Sequence, residues 1–425
     1  MILIKGGCLC GGGGGPADVL IKDGIIAEVS EKIKETAEMA IINASGLVVA
    51  PGLVDLHVHF REPGFEYKED ILSGGAAAAA GGVTTCLCMP NTSPAADSEV
   101  IIRQILEKAK TAPIRVLPIG AVTVGQKGKT LTDFALLKAA GAVALSDDGN
   151  PIQSADVMRR AMQKANECGM AIISHCEDDE MARNYGVNEG AVSEALGLPG
   201  RPAIAEEIMV ARDVMLAEET GASLHIAHVS TAKSVEIIRM AKKMGIAVTA
   251  ETCPQYFSLT EDEVLRQGAL ARVNPPLRTA RDVAAVIEGL ADGTIDAIAT
   301  DHAPHSKEEK ALPLADAPSG MIGLETSLAL ALTHLYHTGR FSLDEIIALM
   351  STNPARIFGI DAGRLGVGAC ADIVIFSPDE QWTVEPQKFM SKARNTPYAG
   401  MLLCGRVKHT ISRGEIYLRS QIRRN

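Results

Sequence analysis

Residues 51–64 read Pro51-Gly-Leu-Val-Asp-Leu-His-Val-His-Phe-Arg-Glu-Pro-Gly64, an apolar strand pattern that runs into two histidines and an arginine. His57 and His59 are two residues apart, so both side chains point to the same side of an extended strand. Arg61 continues the same spacing. An apolar strand that ends in ionisable side chains is typical of a (β/α)₈ barrel, in which catalytic groups lie at the carboxyl ends of the strands.

Seven further apolar runs of strand length follow along the chain, and helical patterns separate several of them. The eight predicted strands are 53–57, 83–88, 115–119, 142–145, 171–174, 223–227, 247–251 and 297–300. Amphipathic helices are predicted at 100–109, 155–167, 204–219 and 234–244. This alternation predicts an α/β fold with a (β/α)₈ TIM barrel, and an open doubly wound sheet is the alternative.

Both ends of the chain have strand patterns without helices between them. Asp23-Gly24 separates two such runs at 17–22 and 25–29 and is a hairpin turn signal. Residues 11–15 are five glycines, predicted as a loop between strands, and strand patterns return at 371–376, 401–404 and 407–411. We therefore expect residues 1–50 and 359–425 to form a small β-sandwich domain beside a barrel at 51–358.

Composition restricts the class of protein. The chain has 425 residues, of which 47% are hydrophobic and 22% charged, so it can bury a large core and is not disordered. Its net charge of −11, without a basic cluster, argues against binding nucleic acid. No apolar run approaches the roughly 20 residues of a membrane span, so we expect no membrane association. Nine cysteines, an odd and dispersed set, predict reduced thiols in a cytoplasmic enzyme.

Ionisable side chains end several of the other predicted strands, and such ends meet at one rim of a barrel. The converging set is His57, His59, Asp148, His175, His228 and Asp301. His225 is three residues before His228 and faces the opposite side, as a structural histidine, and His302 likewise faces away. Imidazole together with carboxylate suits Zn²⁺. Charge balance favours two ions with a bridging hydroxide; one ion held by His57, His59 and Asp301 is the alternative.

Three further side chains on loops at this rim indicate recognition of an anion. Arg61 offers a planar pair of donors that matches a carboxylate. Asn91 follows the second predicted strand and His305 lies four residues beyond Asp301. The predicted substrate is therefore a small carboxylated molecule.

These segments together resemble the class I dihydroorotases of the amidohydrolase superfamily, over essentially the whole chain. Residues 51–64 resemble the metal-binding signature of the family, and Ala299-Thr-Asp-His-Ala-Pro-His305 resembles its second signature. Segments around Asn91, Asp148, His175, His228 and Asn274 follow in family order. The resemblance implies the reversible, zinc-dependent cyclisation of N-carbamoyl-L-aspartate to (S)-dihydroorotate in pyrimidine biosynthesis.

The resemblance also implies a role for each site residue. One zinc ion would be held by His57, His59, Asp148 and Asp301, and the other by Asp148, His175 and His228. Asp301 would also be the catalytic general acid and base. The substrate-binding residues would be His59, Arg61, Asn91, Asn274, His305, Ser319 and Gly320. A homodimer and a complex with aspartate transcarbamoylase are further associations that the resemblance leaves open.

Three alternative functions remain open from the sequence. One is another cyclic amidohydrolase, an allantoinase or dihydropyrimidinase; these usually bridge their metals with a carboxylated lysine, whereas residues 141–146 contain no lysine and Lys138 lies before them. Another is an inactive barrel that scaffolds aspartate transcarbamoylase, although no ligand position is missing. The last is a structural metal-binding protein. Residues 304–319 are either a mobile lid over the site or a solvated loop.

Overall fold

The computed structural model describes residues 1–10 and 15–418. Most of the predicted glycine loop at 11–15 and the last residues of the predicted segment 359–425 lie outside the described residues. No helix in the described ranges is long and apolar enough to cross a membrane.

Strands from both ends of the chain form one eight-stranded sheet. Its first part consists of β1 (Ile2–Leu9), β2 (Pro16–Lys22), β3 (Ile25–Ser30), β4 (Ala40–Asn43) and β5 (Val48–Pro51). Its second part consists of β15 (Ile373–Thr383), β16 (Leu402–Ser412) and β17 (Glu415–Leu418). The order is β17-β16-β15-β5-β1-β2-β3, with β4 beside β1. Strand β5 pairs antiparallel with β15, which joins the two ends of the chain.

The turn between β2 and β3 is the predicted hairpin. Asp23 and Gly24 have φ values of 51° and 78°, and Lys22 pairs with Ile25 across them. Both turn residues need positive φ in this turn, which explains the Asp-Gly sequence.

The middle of the chain forms two parallel sheets. The strands are β6 (Leu53–Val58), β7 (Val83–Cys88), β8 (Arg115–Pro118), β9 (Gly120–Ala121), β10 (Leu145–Ser146), β11 (Ile172–Ser174), β12 (Leu224–Ile226), β13 (Val248–Thr252) and β14 (Ala297–Ile298). One sheet has the order β6-β7-β8, and the other runs from β9 to β14 in sequence order. The α/β class with parallel strands is therefore confirmed.

The largest differences between predicted and observed strands are at 115–119, 142–145 and 297–300, of which the last keeps only Ala297–Ile298. The run 115–119 ends as β8 at Pro118, which has no N–H to donate, and the separate strand β9 follows because Ile119 and Gly120 bond to different neighbours. The Ile119 N–H donates to Cys88 O at 3.0 Å, whereas the Gly120 N–H donates to Ala144 O at 2.9 Å. The run 142–145 contributes only its last residue to β10 (Leu145–Ser146). The residues that follow β6 and β14 are also joined, because the His59 N–H donates to His302 O at 2.9 Å.

Helices lie between most of these strands. They are α1 (Ile71–Ala80), α2 (Glu99–Ala109), α3 (Phe134–Ala140), α4 (Ala155–Cys168), α5 (Asp179–Ala182), α6 (Ala191–Leu196), α7 (Ile204–Thr220), α8 (Ala232–Lys243), α9 (Pro254–Ser258), α10 (Glu263–Gln267), α11 (Ala280–Ala291), α12 (Lys307–Lys310), α13 (Ser327–Ala331), α14 (Leu343–Ile347) and α15 (Asn353–Ile357). The four predicted helices are confirmed as α2, α4, α7 and α8. Ser154 caps α4 through the Val157 N–H, and Gly169, with φ of 58°, ends that helix.

Successive side chains of β6 point alternately into a buried apolar cluster and toward the candidate site. Val54 and Leu56 lie in a buried apolar cluster that also contains Leu87 and Ile173. Because side chains alternate along a strand, the polar Asp55 and His57 point to the other side. Packing of Val54 and Leu56 in this cluster therefore holds in place the strand that carries His57.

Candidate active site

Six predicted ligand residues lie at the carboxyl ends of the parallel strands. His57 is the penultimate residue of β6, and the others follow the ends of β6, β10, β11, β12 and β14 within three residues. They are buried, with exposed fractions of 0% to 7%: His57, His59, Asp148, His175, His228 and Asp301. The structure brings together all six.

One half of this cluster has Asp301 next to the two histidines of the first motif. Asp301 Oδ1 is 3.0 Å from His59 Nε2 and 3.6 Å from His57 Nε2. Asp148 reaches the same two rings, with Oδ1 at 3.4 Å from His57 Nε2 and Oδ2 at 3.5 Å from His59 Nε2. Both groups, His57–His59–Asp301 and His57–Asp148–His228, have the proximity that a metal ion requires of its ligands.

The other half of the cluster is formed around the same aspartate. Asp148 Oδ1 lies 3.3 Å from His175 Nδ1 and 3.6 Å from His228 Nε2. The two ring nitrogens are 2.8 Å apart. Donor atoms about 2.0–2.2 Å from a tetrahedral ion stand about 3.3 Å from each other. These separations therefore match ligand atoms around a common ion, with Asp148 shared by both halves.

Two buried atoms at the centre of the cluster support this interpretation. Among the described residues, His57 Nε2 and Asp148 Oδ1 have no hydrogen-bond partner. A buried polar atom without a partner costs free energy unless an ion or water satisfies it. The residues present therefore fit a divalent metal ion.

Hydrogen bonds on the far side of the rings orient the first two histidines. His57 Nδ1 is 2.8 Å from Glu251 Oε1, and His59 Nδ1 is 2.8 Å from Asn91 Oδ1. An ionised carboxylate and an amide oxygen only accept, so each ring carries its hydrogen on Nδ1. The Nε2 lone pairs of both rings consequently face the cluster, as metal ligation requires.

Glu251 is a functional residue that sequence reasoning missed. It is fully buried in β13 and also lies 3.3 Å from the Nε2 of His225, through its second oxygen. Burial alone would raise the pKa of this carboxyl, but hydrogen bonds from His225 and His57 lower it to about 2. The available signal was its position, because Glu251 ends the seventh predicted strand. His225 and His302 face away from the cluster, as expected: His225 Nδ1 lies 2.8 Å from Thr249 Oγ1, and His302 Nδ1 accepts from the Gly323 N–H at 3.2 Å.

Several residues of the site have unusual backbone conformations. Arg61, His228 and Asp301 have φ values of 62°, 36° and 46°. Non-glycine residues rarely adopt this left-handed region, and such strain is concentrated at functional sites. The conformations turn these side chains toward one space.

That space is a cavity of about 210 Å³ beside the histidine–aspartate cluster. Five of the six ligand residues line it, together with Gly149, Ala303 and the predicted substrate residues Arg61, Asn91, Asn274, His305, Ser319 and Gly320. His57 lies beneath it. The cavity is therefore lined both by predicted metal ligands and by the residues predicted to bind a carboxylate.

Arg61 and His305 lie side by side in the lining of the cavity. Arg61 Nε donates to Pro304 O at 3.2 Å, and Arg61 Nη2 lies 3.5 Å from His305 Nε2. His305 Nε2 is 2.9 Å from Ser319 O and so carries a hydrogen. Burial, together with the charges of Arg61 and Lys68, lowers the pKa of His305 to about 3, so this imidazole is neutral.

Asn274 is held by an ion pair that sequence reasoning also missed. Arg201 Nη1 donates to Asn274 Oδ1 and to Glu177 Oε2. Asn274 Nδ2 lies 3.3 Å from both His175 Nε2 and Glu177 Oε1. Glu177 belongs to the Ser174-His-Cys-Glu177 segment, whereas no local pattern indicated the buried Arg201.

Known proteins resemble this chain in sequence and in structure. A family model described as Dihydro-orotase-like matches residues 46–234. A dihydroorotase of Acetivibrio thermocellus is 48% identical over 99% of this chain and 100% of its own, and one of Pelotomaculum thermopropionicum is 50% identical over 99% of both. An L-hydantoinase (dihydropyrimidinase) structure from Arthrobacter aurescens has a TM-score of 0.87 at 29% identity, covering 98% of this chain and 95% of that one.

Parallel strands with a histidine–aspartate cluster at their carboxyl ends, beside a sheet built from both chain ends, define an amidohydrolase-type protein. The structural likeness to the hydantoinase extends over nearly the whole of both chains. The relatives at 48% and 50% identity narrow the class further. The chain belongs to the dihydroorotase family.

Proposed function

We propose that this chain is a dihydroorotase, which interconverts N-carbamoyl-L-aspartate and (S)-dihydroorotate plus water in pyrimidine biosynthesis. The observation that carries the proposal is the cavity in which Arg61, Asn91 and His305 face the metal-ligand cluster. A ring that carries a carboxylate can bind there with its amide toward the cluster. The names of the relatives at about half identity support the same substrate.

The proposed cofactor is Zn²⁺, two ions per chain. His57, His59, Asp148 and Asp301 would hold one ion, and Asp148, His175 and His228 the other. When bound, the ions polarise a substrate carbonyl and lower the pKa of a water molecule to about 7. The separations of 3.0 to 3.6 Å between the oxygens of Asp148 and Asp301 and the imidazole nitrogens support shared ligands.

Substrate orientation is assigned to residues across the cavity. Arg61 supplies the guanidinium for the ring carboxylate, and His305 and Asn91 complete that contact. Because Asn91 Oδ1 accepts from His59, its Nδ2 is left to donate. His59, Asn274, Ser319 and Gly320 contact the ring. Holding both reacting groups in place is what makes cyclisation of a normally unreactive carboxylate feasible.

Asp301 is the proposed general acid and base. In hydrolysis, its carboxylate accepts a proton from the attacking water and delivers it to the ring nitrogen as the C–N bond breaks. Burial would raise the pKa of Asp301, but the hydrogen bond with His59 and the nearby imidazoles lower it, so the carboxyl is ionised and ready to accept. In the biosynthetic direction the same proton moves back and water leaves.

The proposal includes a closed barrel. We place the strands at 51–358 in one eight-stranded (β/α)₈ barrel, in which β8 and β9 are two parts of the same strand. Support comes from the hydrogen bonds that Ile119 and Gly120 make to opposite neighbours and from the His59–His302 bond at the other side. Residues 1–50 and 359–425 are the proposed β-sandwich domain.

The proposed compartment is the cytoplasm. All nine cysteines are free thiols, which supports a reducing environment. A homodimer and a complex with aspartate transcarbamoylase stay predictions. Light scattering of the chain alone, and mixed with a transcarbamoylase, checks both.

A substrate comparison tests the proposed function. Protein of measured zinc content is assayed with dihydroorotate, hydantoin, dihydrouracil and allantoin. We expect turnover of dihydroorotate in both directions and weak or no turnover of the others, because only dihydroorotate carries the carboxylate that Arg61 binds. Preference for hydantoin, dihydrouracil or allantoin would instead indicate the other cyclic amidohydrolases. Zinc binding without any turnover would indicate an inactive scaffold.

A further inference from the structure

Lys310 is a buried lysine that the proposed mechanism does not use. It ends α12, and 7% of the residue is exposed. Its Nζ donates to the backbone oxygens of Pro318 and Gly320 at 2.9 Å and of Arg272 at 3.3 Å. A protonated amine has three N–H donors, so these bonds use all of them.

The three acceptors lie on the two segments that carry the proposed ring contacts. Arg272 precedes Asn274 by two residues, and Pro318 and Gly320 flank Ser319. Lys310 therefore joins the segment of Asn274 to the segment of Ser319 and Gly320. The Gly320 N–H also donates to Arg272 O at 2.9 Å, so the two segments meet directly beneath the lysine.

Three carbonyl oxygens converge beside Gly320 and favour a positively charged donor at this point. Gly320 has φ of 137°, and a Cβ there would lie 2.7 Å from Ala303 Cβ. Its carbonyl oxygen and those of Pro318 and Arg272 converge on one point, where their partial negative charges repel unless a positive donor separates them. Hydrogen bonds from a charged donor are the stronger kind, and a neutral side chain cannot supply three of them from one atom.

We propose that Lys310 is a positioning residue that holds Asn274, Ser319 and Gly320 in the arrangement that receives the substrate ring. This inference rests on the proposed function. Without the ammonium, the segment 318–320 loses the three bonds through Lys310 and keeps only its direct bonds to Arg272, from the Gly320 N–H and at the Ser319 hydroxyl. Asp301 and the proposed metal ligands are untouched. The loss falls on substrate binding, which raises KM more than it lowers kcat.

Lys310 and Lys307 lie on the same short helix, α12, so a variant of each residue can be compared with the wild type. Lys310→Met keeps most of the side-chain volume but removes all three donors, and Lys307→Met is the matched control on the exposed side of α12. We expect Lys310→Met to raise the KM for dihydroorotate about tenfold or more, as loss of a charged hydrogen bond does. Lys307→Met should keep the wild-type KM, and Lys310→Arg, which retains charge and donors, should lie closer to wild type than Lys310→Met.

Amide hydrogen exchange gives a second readout that needs no substrate. We expect faster exchange of the peptide containing the Gly320 N–H in Lys310→Met, with wild-type rates in Lys307→Met. Unchanged KM and unchanged exchange in Lys310→Met would overturn the inference, as would a uniform rise in exchange over the whole chain. If Lys310→Met does not fold, Lys310→Gln, which keeps two donors, is measured in the same way. A wild type inactive on dihydroorotate would reject the proposed function, and the exchange comparison would then decide the role of Lys310.

Discussion

At the scale of single residues, the proposed chemistry depends on side chains whose protonation is fixed by their neighbours. Glu251 and Asn91 set the tautomers of His57 and His59, and burial beside Arg61 keeps His305 neutral. These hydrogen bonds and charges determine which atoms face the proposed metal ions and which face the proposed substrate.

Asp301→Asn should lower kcat by about 10²- to 10⁴-fold, the range of general acid–base catalysis. The amide keeps the shape of the side chain but cannot accept the proton. Because Asp148 and the four histidines remain, much of the metal should stay bound. Steady-state kinetics and metal analysis check this, with the exposed Asp316→Asn as control. Turnover near the wild-type rate would remove Asp301 from the acid–base role.

Arg61→Met should raise the KM for dihydroorotate by about 10- to 100-fold, since a hydrogen bond to a charged group is lost. Arg61→Lys should fall between wild type and Arg61→Met, because it keeps the charge without the planar pair of donors. Dihydrouracil lacks the carboxylate, so any slow turnover of it should be insensitive to the substitution. An unchanged KM for dihydroorotate would exclude Arg61 from substrate recognition.

At the scale of elements, the segments that follow the last parallel strand hold the cavity closed on one side. Arg272 and Asn395 bond residues 304–320 to the rest of the chain, and Lys310 of this segment donates to Arg272 O. Asn395 Nδ2 donates to the carbonyl oxygens of both Ala303 and Gly320 at 3.1 Å. These hydrogen bonds hold residues 304–320 against the rest of the chain, which argues against a freely solvated loop.

Gly320→Ala should impair substrate binding through this segment. The new Cβ would lie 2.7 Å from Ala303 Cβ and 2.9 Å from Ala303 O, and φ of 137° strains any residue with a Cβ. We expect a higher KM and a loss of stability of about 1–3 kcal/mol. Gly366→Ala is the control, because nothing lies within 4 Å of its Cβ position. Calorimetry and kinetics on both variants check the difference; equal behaviour of the two would contradict the close fit at Gly320.

The pH dependence of KM should also report on this segment. Burial and the charge of Arg272 lower the pKa of Lys310 to about 7, although the charge of Glu309 opposes this shift. The other titratable group near Lys310 is His305, which is neutral. Above that pH the amine has two N–H donors for three carbonyls. We therefore expect KM to rise between about pH 6 and about pH 8, roughly one unit either side of that pKa, more in the wild type than in Lys310→Met. Parallel pH profiles of the two proteins would contradict this.

At the scale of the whole molecule, metal binding should stabilise the fold. The ligands come from strands spread over the entire parallel part of the chain, and without an ion His57 Nε2 and Asp148 Oδ1 are buried without partners among the described residues. Chelation should lower the melting temperature, and zinc should restore it, since a ligand that binds only the folded state stabilises it by about 2.7 kcal/mol at a hundred times its Kd.

Titration of the chelated protein measures the number of ions. Melting temperature and activity should recover together and level off at about two equivalents of zinc, the count of the two-metal proposal. Levelling off at one equivalent would favour the single-ion alternative with His57, His59 and Asp301. No change in melting temperature would contradict a metal centre built from these residues.

Local sequence patterns were enough to predict which segments become strands and which residue types end them. Apolar runs bounded by helical patterns predicted the parallel strands, and because strand ends share one rim, His57, His175, His228 and Asp301 were expected together. The spacing of two residues placed His59 and Arg61 beside them. These inferences succeed because they depend on local periodicity and one general rule of parallel sheets.

The partners of these residues follow from the folding of distant segments onto each other. Glu251 reaches His57 across 194 positions of sequence, and Arg201 reaches Asn274 across 73. The sequence left the segment that contains Lys310 open between a mobile lid and a solvated loop, whereas in the structure this lysine is buried against the carbonyl oxygens of residues 272, 318 and 320. Contacts between distant segments depend on how whole elements pack, and no local pattern of residues encodes that.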